Sequence, residues 1–170
     1  MKSFIKIILL QLLWYLVVKY GPGRNSFFIW IASISLIFFN FYIFKLNLKV
    51  TLKKYILLAN LFLLIGFIHD FILIYCNLLE SRDLGNSLFW LNTLWIIFFC
   101  YFDSMEYLKR LSYKVLATIS FAGAMGSYFS GVKLSGQLIN QEILFCFLVG
   151  AMWAIFFPHY LRFFYSHLKR

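Results

Sequence analysis

Two pairs of ionisable side chains stand out in a sequence that is otherwise poor in charge. His69 and Asp70 are adjacent within one apolar stretch, and Asp103 and Glu106 lie within another. A carboxylate beside an imidazole can bind or relay a proton, and an ionisable residue inside an apolar stretch is a functional candidate. The basic residues three and four positions after Glu106 instead predict an ordinary ion pair within a helix.

The composition decides the class of protein that carries these residues. Of 170 residues, 63% are hydrophobic and 13% are charged, with a formal net charge of +10. Soluble domains are about 45–50% apolar and about 25% charged. A soluble enzyme, a disordered chain and a nucleic-acid-binding domain are therefore excluded, and the sequence predicts an integral membrane protein with no nucleic-acid partner.

Six apolar segments alternate with short polar or basic stretches. They cover residues 4–20, 26–44, 55–75, 88–108, 115–132 and 141–158. Each is near the roughly 20 residues that cross a hydrocarbon core about 30 Å thick. Because backbone groups in lipid must bond internally, the segments are expected to be helices. The predicted fold is all-α: a polytopic membrane protein whose residues 1–158 form a bundle of six transmembrane helices.

The distribution of basic residues predicts the orientation. Twelve of the sixteen Lys and Arg residues fall on one side of the six segments, which places both termini in the cytoplasm. The basic loops are expected to meet anionic lipid headgroups. Residues 159–170, after Pro158, are expected to form a short basic amphipathic cytoplasmic tail. The first segment is interpreted as a retained helix rather than a cleaved signal peptide, because Gly21-Pro22-Gly23 makes a poor cleavage site.

Depth in the bilayer predicts which polar residues can meet. Asp70 lies about 7 Å and Asn92 about 6 Å from the outer ends of their segments at the helical rise per residue. Asp103 lies about 7 Å from the inner end of its segment. In a core about 30 Å thick, it is then roughly 15 Å from Asp70 along the membrane normal, so the two carboxylates cannot pair. The sequence therefore predicts an outer cluster of His69, Asp70 and Asn92, with Thr93 as a further candidate. Candidate partners for Asp103 are Asn40, Thr118 and His159.

Small residues recur four apart in the fifth segment. Ala122 precedes Gly126, and Ser127 precedes Gly131, at the same spacing. Such pairs let another helix approach closely. They predict helix packing within the bundle, with a homodimer seam as the alternative.

Other chemistry is sparse. The sequence lacks Cys-x-x-Cys, His-x-x-x-His and phosphate-loop motifs, so no metal or cofactor is predicted. Cys76, Cys100 and Cys146 are odd in number and widely spaced, which does not support a disulfide framework. Trp30, Phe89 and Trp90 are interpreted as an aromatic belt at the outer interface rather than as a ligand cage.

Several spaced motifs occur in a recognisable order. They are Gln11-x-x-Trp14, Gly66-x-x-x-Asp70-x-x-Leu73, Trp90-Leu91-x-x-Leu94-Trp95-x-x-Phe98, Ser104-x-x-Tyr107-Leu108, Tyr128-x-x-Gly131-x-Lys133-Leu134 and Trp153-x-x-x-x-Pro158. This order resembles the bacterial membrane-protein family called domain of unknown function 2878. The resemblance implies a bacterial inner-membrane protein, gives no catalytic residues to carry over, and favours a link to lipids.

These observations leave three hypotheses for function. The first is a non-catalytic accessory or partner-binding component, linked to envelope lipid metabolism, because no catalytic constellation is recognisable. The second is a small-solute or proton-coupled transporter that uses His69, Asp70, Asn92 and Asp103. The third is a membrane enzyme that acts on lipid through Asp103 and Glu106.

Overall fold

The fold is helical throughout the part of the chain that the structure describes. The structure is a computed structural model, and it describes residues 2–21, 25–44, 51–80 and 84–168. The helices are α1 (Lys2–Tyr20), α2 (Ser26–Phe44), α3 (Leu52–Tyr75), α4 (Leu84–Phe99), α5 (Tyr113–Ser135) and α6 (Glu142–Leu168). Two short 3₁₀ segments, Phe102–Ser104 and Glu106–Arg110, connect α4 to α5. The predictions of helices over 4–20, 26–44, 55–75 and 115–132 are confirmed to within three residues.

Within the described residues, three helices are long and apolar enough to cross a membrane. They comprise Leu52–Tyr75, Tyr113–Ser135 and Glu142–His167. The apolar stretches Ser26–Tyr42 in α2 and Ser87–Phe99 in α4 are shorter. Membrane-like helices are therefore present, by length and composition.

α4 lies at the centre of the fold. It packs against α1, α2 and α3, whereas α5 packs chiefly against α6 and also against α1. The consecutive side chains of Trp95, Ile96 and Ile97 are almost fully buried, as expected for a helix that is surrounded on several sides. Because α4 and α5 each pack mainly against other helices, space remains between them.

The expected helix over 88–108 is wrong at its end, because α4 stops at Phe99. From Tyr101 onward the backbone bonds run from residue i+3 back to residue i, as in Ser104 N–H to Tyr101 O at 2.8 Å. In a 3₁₀ helix residues three apart share a face. Phe102, Met105 and Leu108 have this spacing and pack on or in the core. Asp103 consequently lies in a 3₁₀ turn and not inside a transmembrane helix.

The expected helix end at Pro158 is also not found, since α6 continues to Leu168. An interior proline removes a backbone hydrogen bond and costs about 3 kcal/mol. The residues beyond it compensate, because Leu161 and Phe164 are fully buried in the core. Residues 159–168 therefore extend α6 and pack against the bundle.

The loops after α3 and α5 pair at one end of the bundle. Glu80 N–H donates to Leu138 O, and Asn140 N–H donates to Leu78 O, both at 2.9 Å. Gly136 caps the end of α5, and its φ of 73° is a left-handed conformation that glycine adopts without strain.

Candidate functional site

Asp70 is the centre of a buried hydrogen-bond network that joins three helices. Its side chain is 1% exposed. Trp95 of α4 donates its indole N–H to Oδ2 at 2.8 Å, and the Tyr128 hydroxyl of α5 donates to Oδ1 at 2.9 Å. Nδ1 of His69 lies 2.8 Å from Oδ1. We call His69, Asp70, Trp95 and Tyr128 the Asp70 network.

In this network the Asp70 carboxyl group is the hydrogen-bond acceptor. An indole N–H only donates, and a carboxylate only accepts, so Oδ2 must receive the bond from Trp95. If His69 donates from Nδ1, its Nε2 carries a lone pair. That Nε2 is buried and has no hydrogen-bond partner among the described residues.

Gly66 explains how Trp95 reaches Asp70. Gly66 lies four residues before Asp70, so both residues occupy the same face of α3. A Cβ on Gly66 would lie 2.2 Å from Cδ2 of Trp95, closer than any real Cβ contact. The same indole is stacked on Trp153 of α6, with ring centroids 4.7 Å apart and planes 19° apart. Trp95 thus contacts both the α3 backbone and α6.

The hydrogen bonds of the network tie three helices together. Both carboxylate oxygens of Asp70 already accept hydrogen bonds from side chains. Each hydrogen bond to a charged group contributes about 1.5–3 kcal/mol. No group of three or more His, Cys, Asp or Glu side chains that could hold a metal occurs among the described residues. The network therefore holds α3, α4 and α5 in register.

The structure divides the predicted outer cluster into separate groups. His69 and Asp70 contact each other, whereas Asn92 is bound elsewhere. Its Oδ1 accepts from the Trp30 indole at 2.8 Å, and its Nδ2 donates to Leu63 O at 3.2 Å. Thr93 donates to Phe89 O within its own helix. Asn92 consequently links α2, α3 and α4 independently of Asp70.

The residues named as partners for Asp103 bond to other groups. Asn40 donates to the Tyr55 hydroxyl at 2.6 Å, and Thr118 donates to a backbone carbonyl of its own helix. His159 is exposed, and its ring contacts that of Tyr113. The Asp103 side chain lies outside the described residues.

Glu106 and Lys109 form the ion pair that their spacing predicts. They do so within the 3₁₀ segment Glu106–Arg110 rather than within a continuous fourth helix.

The small residues of α5 face in different directions. Ala122 and Gly126 are exposed, and no side chain of the described chain lies within 4 Å of a Cβ on Gly126. Gly131 is buried, and its Cβ would lie 3.7 Å from the Trp14 ring. Ser127 is exposed and lines a cavity. Packing against a second copy through Ala122 and Gly126 stays a prediction.

A cavity of about 290 Å³ occupies the space between α4 and α5, next to the Asp70 network. Its lining is almost entirely apolar and rich in aromatic rings. It consists of Trp14, Trp90, Leu91, Leu94, Trp95, Phe98, Met105, Leu108, Ile119, Ser120, Gly123, Ala124, Ser127, Tyr128, Gly131, Val132, Trp153 and Phe157. We call this space the aromatic cavity.

Sequence reasoning missed the aromatic cavity. Trp90 was expected in an interfacial belt, but it is 1% exposed and lines the cavity. The spaced motifs could have indicated the cavity, since many of their residues line it. Those that line the cavity are Trp14, Trp90, Leu91, Leu94, Trp95, Phe98, Leu108, Tyr128, Gly131 and Trp153.

Comparison with known proteins gives one match. No curated protein and no solved structure matches the chain. A family model described as "Protein of unknown function (DUF2878)" matches residues 3–159, which include the Asp70 network and the whole lining of the aromatic cavity. The chain therefore belongs to the DUF2878 family.

Proposed function

We propose that this protein is a non-catalytic component of the bacterial inner membrane that holds the acyl chain of a lipid in the aromatic cavity. In this role it serves as an accessory protein in envelope lipid metabolism, presenting or sensing a lipid. It crosses the membrane six times with both termini in the cytoplasm.

The observation that carries this proposal is the size and lining of the aromatic cavity. Along α5 the lining extends from Ile119 to Val132, a rise of roughly 20 Å at about 1.5 Å per residue. One leaflet of a hydrocarbon core about 30 Å thick is roughly 15 Å deep, so the cavity is as long as an acyl chain. Its volume of about 290 Å³ is close to the lower end of ligand pockets, about 300–1,000 Å³.

The position of the lining on α5 supports entry from the bilayer. Ile119, Gly123 and Ser127 are spaced four apart, so they share one face of the helix. All three line the cavity and are also exposed. A lipid chain can therefore enter sideways along α5 without passing through water.

The pairing of loops supports the proposed topology. The loop after α3 and the loop after α5 are hydrogen-bonded to each other through Leu78, Glu80, Leu138 and Asn140. Two loops at the same end of a bundle lie on the same side of the membrane, as the distribution of Lys and Arg also requires.

The alternatives of a transporter and of a lipid-modifying enzyme have less support. A transport path for a small polar solute needs polar groups along it, but none of the described residues in the cavity lining has a charged side chain. Asp70 is occupied by donors from Trp95 and Tyr128, and Glu106 is paired with Lys109.

Two glycines of α5 provide a matched test. A Cβ on either Gly123 or Gly126 would meet nothing within 4 Å, yet only Gly123 lines the cavity. The wild-type protein, Gly123→Leu and Gly126→Leu would be purified in a mild detergent, and bound lipid measured by native mass spectrometry. We expect lipid on the wild type and on Gly126→Leu, and its loss from Gly123→Leu. Equal lipid occupancy in all three, or none in the wild type, would contradict the proposal.

A further inference from the structure

We infer that the occupant of the aromatic cavity is a lipid with an ester-linked acyl chain, whose carbonyl oxygen accepts a hydrogen bond from the indole N–H of Trp90. This inference rests on the proposed function and specifies the chemical class of its ligand.

Trp90 carries an unsatisfied donor at the cavity. Its side chain is 1% exposed and lines the cavity, and its Nε1 has no hydrogen-bond partner among the described residues. The same is true of Nε1 of Trp153, but the Trp153 ring is stacked on Trp95, whereas Trp90 lies at one end of the α4 lining. A buried donor without an acceptor destabilises the protein, which is why such groups are rare. Because an indole N–H can only donate, the group that completes it must be an acceptor.

The place of Trp90 in the cavity fits the end of an acyl chain. α4 and α5 follow each other in the chain, and the 3₁₀ segments between them contribute Met105 and Leu108 to the cavity lining, so the two helices run antiparallel along the cavity. Trp90, near the start of α4, therefore lies toward Val132 of α5, and Phe98 lies toward Ile119. An acceptor at Trp90 leaves the remaining length of the cavity for a hydrocarbon chain.

The chemistry of the lining selects a neutral acceptor. Among the described residues that line the cavity, none has a charged side chain that could pair with a carboxylate or a phosphate. Burying an ion without a partner is far more costly than burying a neutral carbonyl. The ester carbonyl of a membrane lipid therefore fits Trp90 better than the ionised head of a free fatty acid.

The test compares two lipids that differ only at the carbonyl. The full-length protein is placed in phosphatidylcholine vesicles that contain a photoactivatable phosphatidylethanolamine, with its chain linked by an ester or by an ether. The lipid concentration that gives half-maximal labelling is measured for the wild type and for Trp90→Phe. This variant keeps an aromatic ring but loses the N–H. We expect the wild type to favour the ester lipid about five-fold, the effect of one hydrogen bond, and Trp90→Phe to show no preference.

A second tryptophan provides the control. The Trp30 indole already donates to Asn92, and Trp30 does not line the cavity, so Trp30→Phe should keep the ester preference. The inference is overturned if the wild type labels both lipids equally, if Trp90→Phe retains the preference, or if palmitic acid displaces the ester lipid at a lower concentration than unlabelled phosphatidylethanolamine does. These outcomes leave the proposed function standing, and in this experiment that function is contradicted when neither lipid labels the cavity of the wild type.

Discussion

Trp95 lies so close to Gly66 that no side chain larger than hydrogen fits between them. The distance from a Cβ on Gly66 to Cδ2 of Trp95 would be 2.2 Å. This approach of α4 to α3 brings the Trp95 indole within 2.8 Å of Asp70, one helical turn further along α3. The same indole lines the aromatic cavity, so one contact between two helices positions both the polar network and a wall of the cavity.

Gly66→Ala should destabilise the protein, because the added methyl group would overlap the Trp95 ring, which is itself stacked on Trp153. Overpacking of this kind costs about 1–3 kcal/mol. Thermal unfolding in detergent, followed by size-exclusion chromatography, measures the loss. Gly123→Ala is the control, since its new Cβ meets nothing within 4 Å, and it should melt like the wild type. Equal melting of Gly66→Ala and the control would show that the close approach is not required.

Asp70→Asn should destabilise the bundle without changing its shape. The amide offers one oxygen as an acceptor, so it cannot serve both Trp95 and Tyr128 in the present geometry. A buried donor left without an acceptor costs about 1–3 kcal/mol.

A double-mutant cycle with Tyr128→Phe measures this interaction. Since the two side chains share one hydrogen bond, their effects on unfolding should not add. Additive losses would mean that Tyr128 and Asp70 act independently. As a control, Thr118→Val removes a hydroxyl that bonds only within α5, and it should change stability little.

Phe164→Ala should destabilise the end of the bundle where α6 finishes. Phe164 is fully buried, and its ring contacts Phe99 and Phe102 at centroid distances of 5.8 and 5.3 Å. Removal of a buried phenylalanine costs about 3–5 kcal/mol. Phe163→Ala, at a neighbouring position that is 39% exposed, is the matched control and should cost far less. If both variants melt alike, residues 159–168 lie on the membrane surface as a separate tail.

Gly126→Leu should leave the stability of the monomer unchanged within about 0.5 kcal/mol, as for surface substitutions in general. Gly126 is exposed, and a Cβ there meets nothing within the described chain. Its effect should be confined to self-association, measured by multi-angle light scattering in detergent. A fall in the melting temperature of a monomeric sample would instead place Gly126 inside the bundle.

Helix positions could be predicted from the sequence where apolar residues run without interruption. The segment 26–44 coincides with α2 because nothing in that run favours another structure. The end of the fourth helix could not be predicted from the sequence, because Phe102, Met105 and Leu108 keep the chain apolar after the helix stops. Their spacing of three was the signal for 3₁₀ structure. α6 passes Pro158 because tertiary packing outweighs the local cost, which no local pattern reveals.

The candidate site could be predicted only at its ionisable centre. His69 and Asp70 were found because charge is rare in apolar helices. Trp95 and Tyr128 were missed as partners, since an aromatic side chain in an apolar segment indicates packing until its N–H or O–H is placed. The cavity exists because the helices beside Gly123 and Ser127 stay apart. It could not be predicted from the sequence, because small residues on a helix predict the close approach of another helix just as well.

Mapping where a lipid chain touches the protein tests the central claim most directly. A phospholipid with a photoactivatable group in its acyl chain would be incorporated into vesicles with the wild-type protein, and its adducts located by peptide mass spectrometry. Ala124, Trp153 and Phe157 line the cavity and are 8%, 6% and 6% exposed, so bulk lipid outside the bundle has little access to them. An acyl chain in the aromatic cavity should label these residues, and Gly123→Leu should abolish that labelling. Adducts confined to outward-facing residues such as Ile143 and Ile155, which are 89% and 65% exposed, would contradict the account.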